Sequence, residues 1–140
     1  MLIDEIKKAN VQAMKDHDNV VRGVLAIVMT KYKLQEVEMR ASGKEISDAE
    51  LLSIIQKTIK ELSDEKEGYL KVNNQERADM ISKQEEVIRI YLPKQLSEDD
   101  IRAEISKLED KSMPSIMKHF KTNFAGQVDM SLVSRVARNI

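Results

Sequence analysis

Apolar residues recur every three or four positions along most of the chain, which is the spacing of one face of an α-helix. One apolar stripe runs over residues 2–14 and is interrupted by the polar run 16–19, which is predicted to be a turn. Further stripes run over residues 21–39 and 51–62, and a fourth helix is predicted from about residue 75 to residue 92. The first two thirds of the chain are therefore predicted to contain four helices.

For the second and fourth helices the pattern also predicts which residues are buried. The string VLAIVM, residues 24–29, is apolar nearly all round, which predicts burial from several sides. Because the string is rich in β-branched residues it could instead be a strand, but the periodic pattern continues over residues 31–39 and favours a helix. The fourth helix is predicted to have one side made of Met80, Ile81, Gln84, Val87, Ile88 and Tyr91.

The predicted helix boundaries coincide with residues that stop or cap helices. Gly43 can adopt a left-handed conformation and is predicted to end the second helix. Ser47 and Glu50 match a capping box, in which the serine accepts from the amide three residues later and the glutamate reaches back. The pair Asn73-Asn74 is typical of a turn and predicts the connection between the third and fourth helices.

Pro93 predicts a joint between two helical domains. Proline has no backbone N–H and restricts the residue before it, so the fourth helix is expected to end there. Ser97 can cap a new helix that has two aspartates in its first turn, where acidic side chains suit the helix dipole. We therefore predict an N-terminal helical domain over residues 1–92 and a small C-terminal helical domain over residues 93–140.

The C-terminal part is predicted to contain three short helices. Pro114 suits the first turn of the second of these, Gly126 breaks it, and Asp129 can cap the last. Aromatic residues make up only 4% of the chain, which favours helices over sheets because strands prefer aromatic and β-branched residues. The predicted fold is all-α, with a four-helix domain joined by a proline-containing linker to a three-helix domain.

Composition excludes several classes of protein. The chain contains no cysteine, so disulfides, thiolate metal ligands and a cysteine nucleophile are excluded. No stretch approaches the roughly 20 apolar residues of a membrane span, and the first residues lack the apolar run of a signal peptide. We therefore expect a soluble, cytoplasmic protein with no membrane partner.

No group of residues predicts catalysis or cofactor binding. His17 and His119 each lack a second ligand three or four residues away, so no metal site is predicted. The 4 glycines are isolated and form no phosphate-binding loop of the usual kinds. Glu85 and Glu86 are adjacent and would point about 100° apart on a helix, which makes them a poor acid–base pair. The sequence therefore predicts no catalytic residue, no cofactor and no metal.

Positive charge is concentrated near the C-terminus. The net charge of the chain is −1, yet residues 111–140 hold five basic residues and a single acidic one. On their predicted helices Lys118 and Lys121 are three positions apart, as are Arg135 and Arg138, so each pair shares a face and could bind phosphates. The alternative is that these four cations lie on ordinary solvated helix faces. Neighbouring Phe120 and Phe124 are predicted to be core residues rather than base-stacking platforms.

Several segments of the chain match an ordered set of known motifs. Residues 91–101, YLPKQLSEDDI, look like the YLPxQLSxxE joint of the GatB/YqeY domain family, and ERAD at 76–79 with EEVI at 85–88 is similar to the segment before it. IMK at 116–118 resembles V-M-K, and AGQVDMSLV at 125–133 resembles the G-x-x-D-x-x-x-V that opens the last helix. The matches occur in order along the chain and resemble a stand-alone YqeY-like protein.

The resemblance implies a helical N-terminal domain joined to a small helical domain like the tail of GatB, a subunit of the tRNA-dependent amidotransferase. In that enzyme the tail is associated with tRNA recognition, and the chemistry lies in a separate domain. The expected function is thus a non-catalytic module that interacts with tRNA or with an amidotransferase or synthetase complex. The alternative is a helical protein–protein adaptor whose contact face lies on the third and fourth helices. Carbon–nitrogen ligase activity would come to this chain only by family inheritance.

One departure from the family pattern falls beside the basic region. Pro114-Ser115 stands where the family usually has Gly-Lys before V-M. If that glycine and lysine approach a phosphate in the family, this chain has neither at that point.

Overall fold

The computed structural model describes residues 1–140 and confirms the predicted all-α class. Every regular element is an α-helix. The helices in chain order are α1 (Leu2–Lys15), α2 (Asn19–Ala41), α3 (Asp48–Lys71), α4 (Gln75–Arg89), α5 (Glu98–Ser106), α6 (Met113–Asn123) and α7 (Met130–Arg138).

The chain forms two compact units, Met1–Tyr91 with α1–α4 and Leu92–Ile140 with α5–α7. Each unit has its own apolar core, because each helix buries one stripe against its neighbours. In the first unit the fully buried side chains are Ile6, Val24, Leu25, Val28, Leu51, Ile55 and Ile88. In the second the core consists of Ile101, Ile105, Ile116, Phe120, Val128, Val133 and Val136.

Two turns of the first unit are built in the same way. His17 follows α1 with φ 54 and Asn73 follows α3 with φ 58, so both adopt the left-handed conformation that closes a helix. The next residue, Asp18 or Asn74, then accepts a hydrogen bond from the first turn of the following helix. The predicted turns at 16–19 and 73–74 are therefore confirmed, and each lets one helix end and the next begin within three residues.

The connection between α2 and α3 also follows the sequence signals. Gly43 has φ 72, and the Lys44 amide donates to the Met39 carbonyl at 2.8 Å, as in a Schellman motif. Glu50 accepts from the backbone amide of Ser47 at 2.7 Å and from its hydroxyl. These hydrogen bonds hold the pKa of Glu50 below its usual range. The expected stop at Gly43 and the expected capping role of Glu50 are both present.

Helix α4 differs from the prediction in its end and in its buried face. It ends at Arg89, before Leu92, because the Tyr91 amide bonds the Ile88 carbonyl three residues back and tightens the last turn. Its buried residues are Ala78, Ile81, Glu85 and Ile88. Met80, which was expected on the apolar side, is 37% exposed. The charged residue Glu85 therefore lies within the core-facing stripe.

Residues 24–29 are helical, which confirms the prediction of a helix rather than a strand. They are not buried from several sides. Val24, Leu25 and Val28 are fully buried, whereas Ile27 is 41% exposed. The first unit covers only one face of α2, because its other helices all pack on that side. The expectation of burial from several sides was therefore wrong.

Candidate functional site

The basic residues near the C-terminus lie on two helices that pack against each other. Helix α6 buries Ile116 and Phe120, and α7 buries Val133 and Val136 in the same core. The Phe120 ring is fully buried and lies 5.5 Å from that of Phe124, which is partly buried against the core. The prediction that these rings serve as core residues is confirmed, and the Phe120 ring has no exposed face on which a base could stack.

All four candidate phosphate contacts are exposed. Lys118 and Lys121 lie on α6, and Arg135 and Arg138 lie on α7. Each is separated from the buried residues of its helix by about a quarter turn or more at 3.6 residues per turn. None of them forms an ion pair with a carboxylate of the chain, whereas Arg102 on α5 pairs with Glu98 and Asp99. Their charges are therefore available to an outside anion.

Negative charge in the same unit is concentrated elsewhere. Residues 98–110, which contain α5 and the turn after it, hold six acidic residues and two basic ones. Residues 111–140 hold five basic residues and one acidic residue, Asp129, whose side chain caps α7 by accepting from the Ser131 amide at 2.9 Å. The unit is therefore electrostatically polarised, with an acidic α5 segment and basic α6 and α7.

One side-chain hydrogen bond bridges α5 and α6. The His119 Nε2 atom lies 2.9 Å from Glu104 Oε1, and both side chains are about three-quarters buried. The hydrogen bond from His119 lowers the pKa of Glu104. The other ring nitrogen of His119 lies 3.2 Å from the Asn123 side-chain amide, and its ring packs edge-on against Phe120 and Phe124. His119 thus has a structural role, with every polar atom occupied.

A carboxylate lies beside the N-terminus of α6. Asp110 accepts from the Ser112 amide at 2.9 Å and from the Ser115 hydroxyl at 2.7 Å. The hydrogen bond from Ser115 makes the largest contribution to a pKa of Asp110 below its usual range. A helix N-terminus would otherwise suit a phosphate. The negative charge of Asp110 beside this end of α6 would repel a phosphate, so the exposed basic side chains are the better positions for an anion.

Two segments of the family resemblance meet in the second unit. The Leu96 amide donates to the Gln127 carbonyl at 2.7 Å, and the Gln95 side-chain amide donates to the Gly126 carbonyl at 2.6 Å. Gly126 has φ 78, a conformation that residues with a side chain rarely adopt. The YLPKQL and AGQVD segments therefore hold the start of the unit against the turn before α7, which is a structural role.

Sequence reasoning missed one buried charged residue. Glu85 is 6% exposed, its Oε2 atom lies 3.3 Å from Lys66 Nζ and 3.7 Å from Arg89 Nη2, and its Oε1 atom has no hydrogen-bond partner. The signal that could have found it is its position, four residues after Ile81 and three before Ile88. Because charged residues are usually exposed, the pair Glu85-Glu86 was expected on a solvated face, and Glu85 was not counted in the stripe of Ile81 and Ile88.

Two open hollows lie on the first unit. One of about 490 Å³ is lined by Tyr32, Glu36, Arg40 and the 43–46 turn, and burial raises the pKa of Tyr32. Another of about 370 Å³ lies between α2 and α3. No group of three or more histidine, aspartate or glutamate side chains is placed to hold a metal ion. No helix has the length and apolarity needed to cross a membrane.

Comparison with known proteins identifies the family. The model of the family described as Yqey-like protein matches residues 3–140, which is nearly the entire chain. A search of curated proteins found no match. The match agrees with the resemblance of residues 91–101 and 125–133, and the structure shows these two segments hydrogen-bonded to each other. The chain belongs to the family of YqeY-like proteins.

Proposed function

We propose that the second unit binds the phosphate backbone of tRNA through α6 and α7, and that the protein acts as a non-catalytic accessory to tRNA-dependent amidotransferase or synthetase complexes. The observation that supports this most directly is the state of Lys118, Lys121, Arg135 and Arg138. All four are exposed and free of internal ion pairs, on helices that share one core. The acidic residues of the unit lie mainly on the other segment, so they do not neutralise this charge.

The mechanism of binding is electrostatic. Lysine and arginine side chains replace counterions condensed on the nucleic acid, and the release of those ions drives association. With four phosphate contacts, the logarithm of the dissociation constant should rise with the logarithm of salt concentration with a slope of about 3 to 4. Such contacts position a nucleic acid without reading its bases, so discrimination among tRNAs would come from shape or from a partner protein.

Fluorescence anisotropy with labelled tRNA across a salt series tests this function. Changing all four cations to alanine should abolish the salt-dependent binding, and each single change should lower the slope by about 1. The matched control changes Lys7, Lys8, Lys15 and Lys60, which are exposed lysines of the first unit, and removes the same net charge. Equal loss of binding in both quadruple variants would show that only net charge matters and would refute the proposed site.

The second candidate function is a protein–protein adaptor that binds no RNA. Leu70 and Val72, at the end of α3, are 43% and 70% exposed, and Met80 on α4 is 37% exposed. Exposed apolar side chains on the two helices expected to form the contact face favour this alternative. Co-elution with an amidotransferase after RNase treatment, lost in Val72→Asp and retained in the four-alanine variant, would support the adaptor over the tRNA-binding module.

A further inference from the structure

Helix α2 carries a second apolar stripe that the first unit leaves uncovered. The side chains of Ile27, Leu34 and Val37 are 41%, 62% and 52% exposed. Thr30 and Ala41, also exposed, complete a series with alternating spacings of three and four residues. This is the a/d pattern of a coiled coil, and no charged residue interrupts it over residues 27–41.

The stripe is distinct from the face that α2 buries in its own unit. Val24, Leu25, Val28 and Tyr32 are the buried residues of the helix. A surface helix normally has a single apolar face, with polar residues on the opposite side. Packing within the chain thus explains the apolar residues on one face of α2 but not the apolar residues on the opposite face. The exposed stripe has the composition of a helix–helix interface.

The charges beside the stripe are self-complementary. On the flank that faces α3 the charged residues are Lys31 and Glu38, seven residues apart. They line the open groove of about 370 Å³ together with Lys57 and Glu61, so two basic and two acidic side chains surround an apolar floor that includes Leu34 and Ile54. A surface that carries both signs in equal number suits another copy of itself.

We propose that two copies of this chain associate through α2, antiparallel about a twofold axis. In the register that places Leu34 of each copy against Val37 of the other, Thr30 meets Ala41 in the flanking layers. At the same register Lys31 of each copy lies on the same flank as Glu38 of the other, because both occupy the e position of the heptad. The two positions are offset by two residues, which is about 3 Å along the helix axis and within reach of the long side chains. The twofold symmetry repeats this pair, which makes the interface isologous and closed.

The remaining charges near the stripe are compatible with this register. Lys31 Nζ donates to Glu61 at 2.6 Å and to the Thr58 hydroxyl at 3.2 Å, which fixes the ammonium group beside the groove and leaves one of its three donors free. On the other flank Lys33 of one copy faces Arg40 of the other. Glu36 pairs with both of these residues on its own helix, at 3.2 and 3.8 Å, and so offsets their repulsion.

A charge-swap experiment tests the register as well as the association. Sedimentation velocity of the full chain from about 5 to about 500 µM gives the dimerisation constant. Lys31→Glu alone and Glu38→Lys alone each place like charges opposite one another twice and should weaken dimerisation about tenfold. The double variant K31E/E38K restores opposite charges and should dimerise within about threefold of the original chain.

The double variant separates association from folding. Lys31→Glu also removes the ion pair with Glu61. The Tm of the double variant should therefore stay as low as that of the Lys31→Glu variant, while its dimerisation returns. Leu34→Glu should abolish the dimer, and Val11→Glu, at a 49% exposed apolar position on α1, should leave it unchanged. A chain that is monomeric at every concentration, or a double variant no better than the singles, would overturn the proposal; the first result would leave the stripe to a different protein.

Discussion

The carboxylate of Glu85 is held by Lys66 across the α3–α4 interface. Glu85 Oε2 lies 3.3 Å from Lys66 Nζ, and the Glu85 side chain is 7% exposed while that of Lys66 is 27% exposed. Arg89 approaches the same oxygen at 3.7 Å from a side chain that is 55% exposed. Since Oε1 has no hydrogen-bond partner, the stability of this buried charge depends mainly on Lys66.

Lys66→Met should therefore destabilise the protein more than a surface substitution does. Removing one partner of a buried pair leaves an uncompensated charge, which typically costs about 3–5 kcal/mol. Because Lys66 is partly exposed and Arg89 remains, we expect a loss of about 2 kcal/mol in the free energy of unfolding, measured by urea denaturation. The double variant K66M/E85L removes both charges and should be more stable than Lys66→Met alone.

Lys60→Met is the matched control for this experiment, since Lys60 is exposed on the same helix and forms no ion pair. It should change the free energy of unfolding by less than about 0.5 kcal/mol. If Lys66→Met has no larger effect than this control, the pair with Glu85 does not stabilise the folded state.

The sequence was sufficient for features that depend on neighbouring residues. The turn at residues 73–74, the stop at Gly43 and the N-cap at Ser97 each involve groups within a few residues, so local patterns predict them. The Ser97 hydroxyl and the Asp100 carboxylate exchange hydrogen bonds with each other's backbone amides at 3.1 and 3.0 Å. The all-α class follows from the same local periodicity.

Features that depend on contacts distant in sequence were not predictable in this way. Glu85 is buried because Lys66, 19 residues earlier, is placed against it by the α3–α4 hairpin. Ile27 is exposed because no helix of the first unit covers that side of α2. Amphipathic periodicity states which residues share a face, but the neighbours that cover the face are decided by tertiary packing. The exposure of the four basic residues on α6 and α7 could be predicted, while the contact between His119 and Glu104, which are 15 residues apart, could not.

His17→Gly should stabilise the protein. His17 closes α1 with φ 54, a left-handed conformation that costs a residue with a side chain about 1 kcal/mol relative to glycine. Part of this gain is offset because glycine makes the unfolded chain more flexible, so we expect a net increase of about 0.5 kcal/mol in the free energy of unfolding. Differential scanning calorimetry should show a higher Tm for this variant. His17→Ala keeps the strain and serves as the control; a Tm for His17→Gly no higher than that of His17→Ala would contradict this explanation.

Gly23→Ala should show how closely α2 and α4 approach each other. A Cβ atom at residue 23 would lie 3.3 Å from Gln84 Nε2, which donates to the Val20 carbonyl at 3.0 Å. Alanine is favoured over glycine inside a helix by about 1 kcal/mol, but here it must displace the Gln84 amide and weaken that hydrogen bond. We therefore expect little net gain in the free energy of unfolding.

Gln84→Ala provides the background that isolates this contact. Without the glutamine, Gly23→Ala should gain the full helical preference of about 1 kcal/mol. The two free-energy changes, measured by urea denaturation, form a double-mutant cycle. A coupling energy of zero would mean that the Gln84 amide does not restrict residue 23.

Acid should weaken the second unit through the bond between Glu104 and His119. The pKa of Glu104 in the folded protein lies below its ordinary value of 4.5, mainly because His119 donates to the carboxylate. A group whose pKa is lowered by folding contributes stability above its unfolded pKa and loses that contribution as pH falls through the folded pKa. Stability should therefore decline below about pH 4.5, and Glu104→Gln should remove part of that decline.

Amide hydrogen exchange at Phe120, in the core of this unit, measures the loss of stability between about pH 5 and pH 3. Glu109→Gln, at an exposed carboxylate in the turn after α5, is the matched control and should leave the pH profile unchanged. A profile equally altered by both substitutions would show that general charge repulsion, rather than the contact with His119, makes the unit sensitive to acid.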